Sequence, residues 1–264
     1  ASGSSLLARA AQRSEDALRR TARLAAEAQG RGGGGAGEDW WQVRSIQVKL
    51  KDLAANETLD ETSSWAYRLS CKRELQGCIV EADNVFGAVT ALESTLRQLF
   101  AHGGRAAFQV LEVSDQPVYG VRGLMVDTGR RFIPKSVLLK QVIDAMALVK
   151  MNLLQLHLSD FCRFALDLPS FPELKRPDLL DGQYSSEDVR AIVAYARDRG
   201  IMVLPEVDFP GHAGGLLPLK ARGLQFCEAE KRKRTRPEQA TKIFDDPGGM
   251  SRSIVRTLLA ETVA

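Results

Sequence analysis

The sequence predicts an α/β fold: an incomplete (β/α)8 TIM barrel, represented by its first three βα units, preceded by a small α+β domain. Three observations lead to it. Short apolar strands alternate with amphipathic helices from Val121 to Leu204. Carboxylates accompanied by His or Arg recur just past each of those strands. Upstream, between Trp40 and Pro117, strand-like alternation gives way to one helical stretch and then returns.

The barrel units can be taken in order. Gly123-Leu124-Met125-Val126 reads as a first strand, and Ser136 to Val149 as a helix burying Leu138, Val142, Ala145, Met146 and Val149. Leu153 to Leu158 is a second strand. Ser185, with Asp188 three positions on, starts a second helix in a near capping-box arrangement. Val189, Ile192, Val193 and Ala196 form its apolar face, and Gly200 stands where a helix end favours positive φ. Ile201 to Leu204 follows as a third strand. Continuous apolar strands separated by helices indicate a parallel sheet covered by its crossovers.

Three regions are expected: an arm with its linker over 1–38, a small non-catalytic α+β domain over 39–118, and the start of the barrel over 119–264. The arm is rich in Ala and Arg, with a thin apolar stripe of Leu6, Leu7, Ala10, Ala17, Leu24 and Ala25, and reads as helical or disordered and loosely attached. A transit peptide is the lesser reading, because Glu15, Asp16 and Glu27 are acidic. The Gly-rich run over 30–37 is a linker. In the small domain, Val43 to Leu50, Trp65 to Leu69 and Ile79-Val80 are strands, residues 85–100 a helix, and Phe108 to Val113 a last strand. With no initiator Met, the start at Ala1 is read as processed, engineered or incomplete.

Composition narrows the classes. Hydrophobic residues at 44% and charged residues at 26% are those of a chain that buries a core. A net charge of +3 is too small to argue for nucleic acid, and no apolar run reaches the roughly 20 residues that span a bilayer. The basic run Lys231 to Arg236 is read as a solvated insertion between strand and helix. Cys71 and Cys78 flank a hairpin turn and are either a disulfide or buried thiols; Cys162 and Cys227 share no metal-type spacing with them. Asn56-Glu57-Thr58 is a glycosylation sequon, relevant only in a secretory chain.

Barrel chemistry sits at the carboxyl ends of the strands. There the sequence places Asp127-Thr128-Gly129-Arg130, then His157 and Asp160, then Glu206, Asp208 and His212. Each has a dull explanation: Arg130 paired with Asp127, His157 a core histidine, Asp208 capping the Pro210-Gly211 turn. Their concentration on one rim favours a site. Arg and paired carboxylates suit adjacent hydroxyls, which both donate and accept hydrogen bonds. Two His 55 positions apart make a poor metal set, so neither metal nor other cofactor is expected.

These segments resemble glycoside hydrolase family 20, the β-N-acetylhexosaminidases. Arg122-Gly123 through Asp127-Thr128-Gly129-Arg130, with Phe132 and Pro134, is similar to the strand that opens the family's catalytic barrel. Asn152 through His157-Leu158-Ser159-Asp160, Phe171-Pro172-Glu173-Leu174, Tyr184-Ser185 and Pro205-Glu206-Val207-Asp208-Phe209-Pro210-Gly211-His212 follow in the family's order. Gly87-Ala88 to Leu92-Glu93-Ser94 resembles the helix of its small domain more loosely. The resemblance implies that Arg130 and Asp160 hold hydroxyls of a terminal N-acetylhexosamine, with His157 and Glu206 in the same binding set. It implies that His212, supported by Asp208, sits beside the reacting centre. It also implies retaining, substrate-assisted hydrolysis of terminal N-acetyl-β-D-hexosamine from glycans, in which the 2-acetamido oxygen attacks the anomeric carbon.

In that scheme a Gly-Gly-Asp-Glu motif supplies the acetamide-orienting Asp and the acid Glu. Gly248-Gly249 is followed instead by Met250-Ser251, so the chain as given is expected to be inactive. Gln155-Leu156 replaces a His-Trp pair, and Phe161 a second Asp. The alternative is a catalytically inactive sugar-binding or scaffolding relative. The expected partner is an N-acetylhexosamine-terminated glycan, with no nucleic acid and no membrane span; a homo-oligomer is left open, and the family suggests a lysosomal or secreted location.

Overall fold

A computed structural model describes residues 5–29, 45–51, 57–75, 77–96, 110–175, 182–227, 243, 246 and 249–263. The glycine run at 30–37, the basic run at 231–236, Asn56 and the expected strand start at Phe108 lie outside the described residues. The chain is mixed α/β and divides into two units. One comprises Ala1–Arg122, Asp144–Asn152 and Ala196–Met202; the other comprises Gly123–Ile143, Leu153–Tyr195 and Val203–Ala264.

The first unit is built on a four-stranded sheet. Strands β1 (Ser45–Leu50), β2 (Tyr67–Lys72), β3 (Gly77–Ala82) and β4 (Leu111–Asp115) lie in the order β1-β3-β2-β4. β2 and β3 form the expected antiparallel hairpin, while β1 pairs parallel with β3. Alternation does its work: Tyr67, Leu69 and Cys71 point into the core, and Arg68 and Lys72 point to solvent. Cys71 and Cys78 face each other across the hairpin and are joined as a disulfide, which decides a pairing the sequence leaves open.

Over this core lies helix α2 (Val85–Thr90), which continues as a π-helical turn over Ala91–Leu96. Asn84 starts it, its Oδ1 accepting from the backbone of Phe86 at 3.0 Å and of Gly87 at 3.2 Å. The amino-terminal helix α1 (Ser5–Gln29) is not loose. Leu6, Leu7 and Ala10 belong to the same buried cluster as Trp65, Leu69 and Leu92. Arg13 reaches the buried Glu93 at 2.6 Å and the carbonyl of Asp198 at 2.6 Å.

In the second unit β5 (Gly123–Asp127), β6 (Leu153–His157) and β7 (Met202–Glu206) form a sheet in that order. β5 and β6 are parallel, Gly123 aligned with Leu153 and Asp127 with His157. β7 runs the same way, since Met202 N donates to Asn152 O and Leu158 N to Glu206 O, each at 2.9 Å.

Helix α3 follows β5 as three consecutive pieces, Lys135–Val137, a π-helical Leu138–Ile143, and Asp144–Leu148. Helix α4 (Ser186–Arg197) follows β6 and is started by the capping box read from the sequence. Ser185 Oγ accepts from Asp188 N at 3.1 Å while Asp188 Oδ2 accepts from Ser185 N at 3.1 Å. Both helices end alike: Met151 N bonds Met146 O, Ile201 N bonds Ala196 O, and the preceding Lys150 and Gly200 take φ of 61° and 70°. A last helix, α5 (Met250–Thr262), buries Ile254 and Leu258. Leu124, Met125 and Leu204 are exposed on the outer strands of this sheet. Among the described residues no helix is long and apolar enough to cross a membrane.

Candidate functional site

The carboxyl ends of β5, β6 and β7 bring every site residue named from the sequence into one connected group. Alternation puts His157 at the last position of β6, with Gln155 two residues earlier on the same face. The chain leaving β5 closes over this end: Thr128 N, Gly129 N and Thr128 Oγ1 all donate to the His157 carbonyl at 2.9 Å. Gly129 is required at this point. A Cβ there would lie 2.8 Å from the Ser159 carbonyl carbon and 2.9 Å from Asp160 N. Its absence lets the loops after β5 and β6 touch.

Arg130 is held by two carboxylates. Its Nη1 lies 2.5 Å from Asp127 Oδ2 and its Nη2 2.8 Å from Asp160 Oδ2, and its backbone N–H donates to Asp127 Oδ1 at 3.0 Å. The Arg130 side chain is 53% exposed, whereas Asp160 is 1% exposed. The guanidinium therefore presents its outer edge to solvent with its inner edge fixed. Burial would raise the Asp127 pKa. Hydrogen bonds from the Arg130 side chain and backbone, with the nearby charges of His157 and Arg130, outweigh it and hold Asp127 below its ordinary value.

Asp160 is the centre of the group. Besides Arg130, its Oδ2 meets His157 Nε2 at 3.0 Å and lies 4.0 Å from His212 Nδ1. Its Oδ1 accepts from Phe161 N at 2.5 Å. His157 is 5% exposed, and its second nitrogen, Nδ1, faces Glu206 Oε1 at 3.1 Å. Gln155 Nε2 donates to the other oxygen of Glu206. Burial would lower the His157 pKa, but the hydrogen bonds to Asp160 and Glu206 and the charges of Glu206 and Asp127 prevail and raise it.

His212 is the most open member. Its Nδ1 sits 2.5 Å from Asp208 Oδ2, and its side chain is 44% exposed. Asp208 is in turn placed by Ser159 Oγ, which accepts from its backbone N–H at 2.8 Å. His212 adopts φ 52°, a left-handed conformation that costs a non-glycine residue on the order of 1 kcal/mol and is concentrated at functional positions.

His157, Glu206 and Asp208 also bring one donor atom each within 4.8 Å of one another, a spacing a cation could use. In this structure both His157 nitrogens are instead taken up by carboxylates, Nε2 by Asp160 Oδ2 at 3.0 Å and Nδ1 by Glu206 Oε1 at 3.1 Å. Gln155, read from the sequence only as a departure from the family pattern, and Gly129, read only as part of the Asp127–Arg130 segment, also take part in the group. The period-two relation of Gln155 to His157 places both on one face of the strand.

The molecule is thus a mixed α/β protein with a polar constellation, arginine foremost, at the carboxyl edge of a parallel sheet, the edge at which folds of this kind carry their sites. Comparison with known proteins narrows the class. A model of the glycosyl hydrolase family 20 catalytic domain matches residues 119–261. A β-hexosaminidase of Emericella nidulans is 37% identical over 175 residues, covering 65% of this chain and 28% of the relative. The β subunit of Homo sapiens β-hexosaminidase is 38% identical over 180 residues, covering 65% and 31%. Among solved structures, a Flavobacterium johnsoniae chitobiase superposes with a TM-score of 0.68 at 28% identity, covering 82% of this chain and 32% of that one. The chain belongs to glycoside hydrolase family 20. It spans less than a third of the length of the two curated relatives.

Proposed function

We propose that this chain is the sugar-holding part of a β-N-acetylhexosaminidase, an enzyme that removes terminal N-acetyl-β-D-hexosamine from glycans. The observation that carries the reading is Arg130. A half-exposed guanidinium fixed by Asp127 and Asp160 offers adjacent donors to a pair of ring hydroxyls, in a site whose strand ends follow the family pattern. Asp160 itself is buried behind it, so its part is to aim the arginine and present one shared oxygen edge. His212, whose Nδ1 is held by Asp208, is the group this reading sets beside the reacting carbon.

The parallel strands β5, β6 and β7 are the opening of a (β/α)8 barrel in this reading. The exposed Leu124, Met125 and Leu204 support it, because apolar residues on strands of this kind are covered in a closed barrel. In the family's substrate-assisted reaction the sugar's own acetamide oxygen is the nucleophile, and an Asp-Glu pair orients it and protonates the leaving oxygen. No Gly-Gly-Asp-Glu stretch occurs in this sequence. The chain by itself is therefore expected to hold the sugar and not to cut it.

Titration of residues 1–264 with N-acetylglucosamine tests the reading. Saturable binding is expected, weakened about tenfold or more in Arg130→Ala. Binding indifferent to that substitution would overturn the role given to Arg130. Release of 4-nitrophenol from its N-acetylglucosaminide by residues 1–264 would overturn the expectation of inactivity.

A further inference from the structure

The site contains a histidine with a carboxylate against each ring nitrogen. His157 is almost wholly buried, and each of its ring nitrogens ends on a carboxylate oxygen, Nδ1 on Glu206 at 3.1 Å and Nε2 on Asp160 at 3.0 Å. A neutral imidazole carries one N–H and one lone pair, so one of those contacts would set a lone pair against a carboxylate. Two acceptors call for two protons. They could come from an imidazolium or from a neutral ring beside a protonated carboxyl. Against the lowering by burial, the hydrogen bonds to Asp160 and Glu206 and the charges of Glu206 and Asp127 hold the His157 pKa above its ordinary value, which favours the second proton on the ring.

The second feature is the amide beside it. Gln155, on the same face of β6, donates to Glu206 Oε2 and thereby leaves Oε1 turned to His157. From Glu206 the contacts run in one line: His157, then Asp160 Oδ2, then Arg130 Nη2 at 2.8 Å. Asp160 serves both neighbours in this line through the same oxygen, because its other oxygen accepts from the Phe161 amide.

We propose that His157 is a positioning residue: as an imidazolium it ties Glu206 to Asp160 and thereby fixes the guanidinium of Arg130, with Gln155 holding Glu206 in the orientation this needs. The proposal rests on the reading of Arg130 as the group that meets the sugar. The charges facing His157 come from every element around it. Glu206 and Asp208 approach from β7 and the loop beyond it, Asp160 from the loop after β6, and Asp127 from the end of β5. Arg130 opposes them from beyond Asp160, and His212 lies 4.0 Å from the same oxygen of Asp160. Anions outnumber cations around the ring. Loss of the His157 proton would set a lone pair against one carboxylate, and Asp160 would be free to turn from Arg130.

Ring-nitrogen NMR on residues 1–264, with the His157 ring assigned through its bonds to its own backbone resonances, tests this in the unmodified chain. His157 is expected to carry protons on both nitrogens at pH 7, and the Arg130 Nε–H signal to shift through the same pH midpoint at which His157 deprotonates. Glu206→Gln should lower that midpoint by about 1–3 units, and Gln155→Leu by less. A bare ring nitrogen on His157 at pH 6, or an Arg130 signal indifferent to the His157 titration, would overturn the proposal. The measurement on the unmodified chain decides even where a variant fails to fold. No sugar is present in it, so a failure of N-acetylglucosamine to bind would sink the substrate reading separately.

Discussion

The two sheets of this molecule handle charge in opposite ways. On the outer face of the first, charges meet one to one in the open: Lys49 with Glu81, Lys72 with Glu112, Lys51 with Asp83. At the carboxyl edge of the second, Asp127, Asp160, Glu206 and Asp208 converge with Arg130, His157 and His212, and two of the seven are almost completely buried. Exposed pairs contribute little and tolerate change. Buried, shared charge is costly unless every partner is in place, and such concentration marks a working site. Where a charge goes, and how many partners share it, separates scaffold from site more clearly than how many charges there are.

Breaking the shared network should have the largest effect. Asp160→Asn removes the one anion that both Arg130 and His157 contact, and should destabilise the chain by about 3–5 kcal/mol in chemical denaturation. Leu69→Ala opens the first unit's core at a fully buried position and should cost about 3 kcal/mol, while leaving the Arg130 Nε–H resonance unmoved. A matching change at Arg130 would erase the contrast between the units. Gly129→Ser, which forces a Cβ against Ser159 and Asp160, should cost about 1–3 kcal/mol and displace the Arg130 signal as well.

A smaller effect follows from pH. The His157 pKa is raised by folding, so its stabilisation is complete below the ordinary imidazole value of about 6.5 and is lost as pH climbs through the raised value. The urea midpoint should fall over that window, and the fall should disappear in His157→Gln. Smallest of all, Lys49→Ala on the first sheet's outer face should change stability by no more than about 0.5 kcal/mol.

Much of the fold was readable because its signals are local. Ser185 and Asp188 stand three apart and cap each other as expected, and the apolar runs of β5, β6 and β7 fall where their hydrophobicity puts them. The packing of α1 was not readable, because Leu6, Leu7 and Ala10 gain their meaning from Trp65, Leu69 and Leu92 far along the chain. Nor was the parallel pairing of β1 with β3, which no hairpin signal marks. In the site, residue types at strand ends located Arg130, His157, Asp160, Glu206, Asp208 and His212. Which atoms share which proton depends on Glu206 reaching His157 from a strand 49 residues on, and spacing alone does not show that.

The amide of Phe161 gives this arrangement a clock. Its proton is bound by Asp160 Oδ1, the oxygen opposite the one that serves Arg130 and His157. That proton can exchange with solvent only when the Asp160 carboxylate turns away. Its hydrogen-exchange rate therefore counts openings of the whole assembly, and a bound ligand that steadies Arg130 should slow it without touching Phe161.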